Sequence, residues 1–459
     1  MLTTPTNRAA PAAVLKDRFR EAFACADEPG VCRAPGRVNL IGEHTDYNGL
    51  PVLPVTIHQD IRVAFAPTRD DGRVQMRNLD PSFPDATFLN DSAIPPSPAG
   101  HWENYTKAAV TGLNRHFGVR EFVGMDLLVG GTIPMSAGLS SSSALVVACA
   151  LAYLRCLDKR LDHDISRIEL AAVLAEAEHY VGTRGGGMDQ AIILLGDERA
   201  ACRIDFFPLR VEHVPLPQDH AIVVSNSLVK AEKTGETLHL YNAGPRLCQL
   251  ICAMAAHQLC REYGESVELT RLGDLWFGNL CLTHAEVAEL FDRTFPAASV
   301  TLKEAAGALG LSPTQVRDRW LGDLREPDGG FPLRARARHQ LTEHQRVDAA
   351  RDALLAEDAG SLGTLMNDSH ESCACDYQIS CPELDMLVKI AREAGAAGAR
   401  LTGAGFGGCT VNLVPRDILD AFGREVHRCY YRDYLGNRPS PHPQGPMFVV
   451  QASPAAGYL

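Results

Sequence analysis

With 459 residues, 46% of them hydrophobic, the chain can bury a sizeable core, most simply as two domains. Its net charge of −12 argues against a nucleic-acid surface, which needs a concentrated basic patch, while leaving room for a nucleotide held by a local pocket of arginine and backbone N–H groups. Aromatic residues at 7% and long apolar runs exclude a mostly disordered chain.

In chain order, residues 16–25 are expected to form a short helix with Phe19 and Phe23 on one side. Apolar alternation predicts strands at 61–66 and 125–129. Ser166-Arg-Ile-Glu169 has the form of a capping box opening a helix that runs to about Val181. Leu170, Val173, Leu174, Ala177 and Val181 make its apolar stripe, and Glu178 borders it. The helix stops at Gly182 and the triplet Gly185 to Gly187. A β-rich stretch begins near 200, with a strand at 221–224. Helices are predicted at 244–262 and 273–292, in shorter pieces over 298–320, through 336–366, and at 382–394. A loop is expected from Arg325 to Pro332, and residues 409–414 form a late strand. There is no internal repeat. A boundary near 210 divides the chain into domains 15–210 and 211–459.

The chain opens without the continuous apolar core of a signal peptide. Its longest charge-free apolar run, around 143–154, is too short to span a bilayer. In a chain of this length, 14 cysteines therefore point to reduced thiols and a cytoplasmic protein. Cys373, Cys375 and Cys381 lack the paired spacing of a zinc site.

Three glycine-rich segments carry chemistry. Residues 34–49, APGRVNLIGEHTDYNG, crowd Arg37, Glu43, His44, Asp46 and Tyr47 together. Val38, Leu40 and Ile41 tie them to a core rather than to a surface loop. Glu43, His44 and Asp46 suit the reading of vicinal hydroxyls. A buried site built to hydrogen-bond hydroxyls discriminates by roughly 10⁴ against an analogue lacking one, so a sugar fits better than an apolar ligand. Residues 134–144, PMSAGLSSSSA, bring Ser140, Ser141, Ser142 and Ser143 to the start of an apolar helix. Free backbone N–H groups and the helix dipole face an anion there. One serine suffices for an ordinary cap; four favour phosphate or metal contact. The third segment, residues 401–408, suits either close approach to a ligand or tight packing. Asp189, directly after the triple glycine and Met188, is a candidate general base or magnesium ligand, with a capping role as the alternative. The chain has no G-x-x-x-x-G-K-[S/T] loop, no protein-kinase motif set and no G-x-S-x-G elbow. His239 and His339 read as structural or surface residues.

Residues 36–49 resemble the sugar-kinase signature of galactokinases. Residues 134–144 and 403–408 resemble the second and third motifs of the wider superfamily that includes homoserine, mevalonate and phosphomevalonate kinases. The similarity runs from about residue 30 to the C-terminus, through Ser369-His370, Asp376-Tyr377 and residues 380–385. It implies an α+β fold of two domains, with mixed sheets, helices packed against them, and the active site in the interdomain cleft. It also implies ATP- and Mg2+-dependent phosphorylation of the C1 hydroxyl of a sugar by a monomer that engages small molecules, not nucleic acid or membranes.

By that resemblance Asp189 is the catalytic carboxylate and Arg37 its cationic neighbour. Glu43, His44, Asp46 and Tyr241 are the sugar ligands, with a backbone contact from Gly187. Pro134, Ser136, Gly138, Leu139, Ser140 to Ser143 and Ala144 surround the phosphates. Trp102 and Tyr105 stand near the nucleotide side. Ser142 is the best match for the magnesium-contacting hydroxyl, with Glu178 as its carboxylate partner, while the four-serine run leaves Ser141 and Ser143 open. Two departures stand out. Gly185 replaces the cysteine of most short bacterial galactokinases, and Ala243-Gly-Pro-Arg-Leu-Cys248 replaces a segment with paired arginines. Galactose is the expected sugar, N-acetylgalactosamine the alternative, and a ligand-binding sensor with little turnover the second alternative.

Overall fold

The computed structural model describes residues 10–24, 28–68, 71–182, 185–230, 236–264, 266–440 and 445–459, without the side chains of 236–240. The first glycine-rich segment is not all loop: its leading half belongs to strand β1 (Gly30–Asn39). Val31, Cys32, Ala34 and Val38 are buried. Pro35 and Gly36 fall where the pairing with β2 (Pro54–Thr68) shifts register between Pro35 and Arg37. A proline is tolerated at such an irregularity because no ladder N–H is required of it. Strand β2 extends the predicted 61–66 segment back through the buried polar residues His58, Gln59 and Asp60, which hid its first half.

A six-stranded sheet forms around these two strands, with β3 (Arg73–Asn78), β4 (Ala86–Leu89), β5 (Gly124–Gly131) and the final strand β12 (Gly457–Tyr458). Its order is β12-β1-β2-β5-β3-β4. The β3–β5 pair is parallel and the others antiparallel, so the sheet is mixed. Helix α1 (Ala12–Phe23), close to the helix expected at 16–25, buries Leu15 and Phe19 against Val31, Ala64 and Leu128. The other side of the sheet takes α2 (Glu103–Phe117), α3 (Ser141–Cys156), α4 (Arg167–Ala177) and α5 (Met188–Leu195). Residues from Ser143 to Leu154 of α3 are buried on every side, whereas Ser141 and Ser142 at its start are partly exposed. Ser166 caps α4 by accepting the N–H of Glu169 at 3.2 Å. The predicted run to Val181 tightens after Ala177 into a 3₁₀ turn, Glu178–Val181, that re-aims Glu178.

The hairpin β6 (Ala200–Asp205) and β7 (Arg210–Pro215) precedes β8 (His220–Asn226). With β9 (Gly398–Thr402), β10 (Cys409–Pro415) and β11 (Met447–Val449), β8 forms an antiparallel four-stranded sheet ordered β11-β8-β10-β9. Residue 210, the expected boundary, begins β7 of the hairpin, and β12 returns to the first sheet.

A helical layer completes the second unit: α6 (Glu236–Tyr263), α7 (Asp274–Phe277), α8 (His284–Thr294), α9 (Leu302–Leu309) and α10 (Pro313–Val316). It continues as α11 (Leu333–Leu355), α12 (Ala359–Cys375), α13 (Pro382–Glu393) and α14 (Leu419–Val426). The helix expected at 273–292 is two, α7 and α8, and the long 336–366 region is α11 and α12 with a turn between. Helix α6 starts at Glu236 rather than at 244, so Pro245 lies inside it. A proline there cannot donate to the carbonyl of residue 241, which breaks the helical ladder one turn beyond Tyr241. Among the described residues thirteen cysteines carry free thiols, and no helix is long and apolar enough to cross a membrane.

Candidate active site

An open cleft, spanning about 500 Å³ that includes solvent at its mouth, is lined by Arg37, Glu43, His44, Asp46, Glu178, Gly187, Asp189 and Tyr241, together with Tyr47, Gln190, Gly403 and Ala404. The fold thus gathers the acidic and cationic residues singled out in sequence. They arrive from β1 and the loop after it, the start of α5, the 3₁₀ turn after α4, α6 and the loop after β9.

The centre is an ion pair. Nε of Arg37 donates to Oδ1 of Asp189 at 2.8 Å, and Nη2 approaches the same oxygen at 2.7 Å. Nη1 donates to the carbonyl of Gly138, tying the pair to the serine turn. The Arg37 side chain is 4% exposed and that of Asp189 15%, so the carboxylate is the partner that opens to the cleft. Asp46 stands beside it. Its Oδ2 accepts the N–H groups of Gly186 at 3.0 Å and Met188 at 3.3 Å. Burial pushes the Asp46 carboxyl above its ordinary range, and the charge of Asp189 pushes the same way. The three glycines are not equivalent. A Cβ at Gly186 would lie 2.1 Å from the backbone nitrogen of Tyr47, and Gly187 has φ 98°, whereas a Cβ on Gly185 meets nothing within 4 Å among the described residues.

Glu43 joins the first and third motifs. Its Oε2 accepts from Asn39 at 2.8 Å and its Oε1 from the N–H of Gly403 at 2.6 Å, with Arg400 at 3.6 Å. Burial raises its pKa, opposed by Arg400 and Arg37. The ring of His44 is held at both ends: Nε2 donates to the carbonyl of Ala404 and Nδ1 accepts from the Tyr47 hydroxyl, each at 3.0 Å. The Tyr47 hydroxyl meets that of Tyr377 at 2.5 Å, and Tyr241 packs on His44 with ring centroids 5.4 Å apart. Tyr47, Gly403 and Ala404 lay inside motifs visible in the sequence, but only the approach of the third motif to the first turns them into lining residues.

At the serine turn, Ser140 adopts φ 60° at the cap of α3, and its buried hydroxyl has no hydrogen-bond partner among the described residues. An orphaned hydroxyl at a helix start with free N–H groups suits an oxyanion. The carboxylate of Glu178 takes the hydroxyl of Ser143 at 2.6 Å, and the same hydroxyl lies 3.3 Å from Oδ2 of Asp189. By resemblance Ser142 is the best match for this position, with Ser141 and Ser143 open. Helical geometry turns adjacent residues by about 100°, and it is Ser143, buried on the inner face, that reaches Glu178. Leu139 and Ala144 point into the core and leave only backbone for a ligand, whereas Pro134 is buried and Ser136 exposed. Trp102, expected near the nucleotide side, sits in the core. It is 6% exposed, packs edge-on against Phe83, and gives its indole N–H to the carbonyl of Pro84 at 3.0 Å, a core arrangement. Tyr105 lies close enough to Glu178 for that charge to raise its pKa, after burial. His339 is buried, as its structural reading implies; His239 lies outside the described side chains, as do residues 183 and 184 of the catalytic loop.

Away from the cleft, His284, His344 and Asp348 bring ligand atoms within 4.8 Å of one another. The indole N–H of Trp276 donates to Nδ1 of His284 at 3.0 Å, which leaves the ring proton on Nε2, and Arg203 holds Asp348 at 2.7 Å. Trp276 and Arg203 thus engage one atom each of His284 and Asp348, while Nδ1 of His344 is buried without a hydrogen-bond partner among the described residues.

Residues 17–67 match the galactokinase galactose-binding signature, 104–197 the N-terminal domain of GHMP kinases, and 350–432 their C-terminal domain. A galactokinase of Dictyostelium discoideum is 36% identical over 434 residues, covering 88% of this chain and 84% of its own length. One from Roseiflexus sp. (strain RS-1) is 34% identical over 445 residues, covering 96% of each. The structure of Lactococcus lactis galactokinase complexed with galactose superposes with a TM-score of 0.76 at 27% identity, covering 98% of this chain and 100% of that one. Methanococcus jannaschii mevalonate kinase, at 16% identity and a TM-score of 0.55, shares the fold. The gathered cleft, the three matched segments and these near full-length relatives place the chain in the galactokinase family.

Proposed function

We propose that this protein transfers the γ-phosphoryl group of ATP to the anomeric C1 hydroxyl of galactose, giving α-D-galactose 1-phosphate and ADP. The observation that carries this reading is the buried Arg37–Asp189 pair, flanked on one side by Asp46, His44 and Tyr241 and on the other by the serine turn. Phosphoryl transfer needs positioning and charge compensation more than covalent chemistry. Asp189 orients the C1 hydroxyl and accepts its proton as attack on the phosphoryl group develops. An ordinary aspartate, with a pKa of about 3.9, is too weak a base to ionise a sugar hydroxyl beforehand, so the proton moves late. Arg37 fixes Asp189 and offsets charge on the transferring group.

Ser140 and the first N–H groups of α3 face the phosphates. The hydroxyl of Ser143 and the carboxylate of Glu178 are hard oxygen donors, and they would hold a magnesium ion beside Asp189. When bound, that ion supplies charge neutralisation on the phosphate oxygens. The proposal includes a monomeric, cytoplasmic enzyme, the location resting on the many cysteines of so long a chain.

The test is ³¹P NMR of purified protein with ATP, magnesium and either galactose or N-acetylgalactosamine. Growth of a galactose 1-phosphate signal is expected, with D189N slowing turnover by about 10³-fold while galactose still binds. Binding of both ligands without product makes the protein a sensor. A higher kcat/KM for the acetylated sugar reassigns the substrate.

A further inference from the structure

The backbone that carries Glu43 and His44 leaves β1 in an unusual shape, with Gly42 at φ 99° and His44 at φ 58°. Left-handed residues cannot continue a strand ladder, so their N–H groups need other acceptors. A side chain from the opposite unit supplies one. The N–H of Gly42 at 2.8 Å and that of Glu43 at 3.3 Å converge on Oε1 of Glu343, in α11. Successive N–H groups aimed at one anion form a nest. The hydroxyl of Ser369 donates to the same oxygen at 2.7 Å, and Nε of Arg346 holds Oε2 at 2.7 Å.

The Glu343 side chain is entirely buried. Burial alone would raise its pKa, but Arg346, His339 and Arg400 outweigh it and hold the group down to about 2, so it is an anion. Its neighbours on α11 grip the same loop. His339 donates from Nε2 to the carbonyl of Glu43 at 3.0 Å, and Gln340 donates to that of His44 at 2.9 Å. A buried ion pair is weak support for stability by itself, because desolvation offsets much of its attraction. What this one does hold is a backbone shape that two cleft-lining residues require.

We infer that Glu343 is a positioning residue for sugar recognition: it fixes the backbone of residues 42 and 43, and through it aims Glu43 and His44 into the cleft. This rests on the reading of Glu43 and His44 as sugar-facing groups. Glu343 touches no substrate; its effect is confined to one side of the cleft, away from the serine turn.

Steady-state kinetics with galactose and ATP varied separately test it on E343Q, E343D and S369A. E343Q removes the charge, and loss of charge-assisted hydrogen bonds to the loop is expected to raise the KM for galactose about tenfold or more while the KM for ATP stays within about twofold. E343D, which keeps the charge on a shorter arm, falls in between. S369A leaves the carboxylate in place and removes one donor; it carries the test if E343Q does not fold, with an expected rise in galactose KM of about threefold. A purely structural role lowers the active fraction and hence kcat while leaving both KM values unchanged, and that result overturns the inference. E43A runs alongside. If E43A raises the galactose KM and neither E343Q nor S369A does, only the positioning role falls. If E43A itself leaves the galactose KM unchanged, the sugar-facing reading fails and takes the inference with it.

Discussion

At the residue scale, the triple glycine resolves into positions with different physical demands. Gly186 lets the loop before α5 approach the backbone of Asp46 and Tyr47 closely, and its N–H donates to Asp46. Gly185 lines the cleft, with nothing among the described residues close to the place a Cβ would take. G186A must therefore push the two loops apart, and a displacement of this kind costs about 1–3 kcal/mol. G185A is expected to shift the urea midpoint little, so equilibrium unfolding of the two variants separates a required glycine from a tolerated one. A large loss in G185A would show that the loop's conformation, not its clearance, demands glycine there. The serine run is resolved in the same way. Four adjacent hydroxyls look alike in sequence, but one faces Glu178 and Asp189, and another is buried at the cap without a partner among the described residues.

At the scale of elements, β9 and α11 bring the first motif into contact with the second unit. Arg400 of β9 is fully buried, donates to the carbonyls of Asn39 and Leu40 at 3.2 and 3.4 Å, and faces Glu43. Thr402 bridges the backbone of Asn39 in both directions, accepting its N–H at 2.9 Å and donating to its carbonyl at 3.1 Å. R400M would strand the buried carboxylate of Glu43, and removal of one partner of such a pair costs about 3–5 kcal/mol. The sign with pH follows from the same group. Without Arg400 the folded pKa of Glu43 rises further above its unfolded value, so the penalty is present at neutral pH and shrinks as the group protonates. Urea unfolding is expected to show a wide gap between R400M and the parent at pH 7 that narrows toward pH 5; a gap independent of pH would mean that lost packing, not charge, is the cause. Helix α6 shows the opposite relation between element and site. Pro245 interrupts its ladder next to Tyr241, and Gly244 leaves room for the hydroxyls of Tyr47 and Tyr377.

At the scale of the whole molecule, two buried histidines tie stability to pH. His339 and His344 are both held down to about 4 from an ordinary 6.5, chiefly by burial. Between those values the unfolded chain binds protons that the folded one refuses, so stability is fully present above about pH 6.5 and is lost as pH falls through the window. Unfolding free energies measured from pH 7 to 4.5 are expected to fall, and H344Q to reduce the slope by about one proton. An unchanged slope in H344Q would show that other groups set the dependence. Contacts between distant parts of the chain make this a global property: β12 closes the first sheet from the far end of the chain, and the core around α3 includes side chains from β8, β10, α11 and α12.

Local chemistry was legible without coordinates. The helix beginning in the serine run, the cap at Ser166, the strand near 221–224 and the helix at 382–394 depend on residue types within a few positions of one another, and each was visible in the chain. So were Arg37, Glu43, His44 and Asp46, a crowded set of charged groups among glycines, and Asp189 after the triple glycine, whereas Glu178 and Tyr241 were assigned to the site only by resemblance to the family. Strand β1 was hidden because its proline and glycine occupy an irregular register that only pairing with β2 explains. The serine that meets Glu178, the core position of Trp102 and the carboxylate of Glu343 beneath the loop were decided by tertiary structure alone. Each depends on a contact between segments distant in sequence, and residue spacing along the chain carries no measure of that distance.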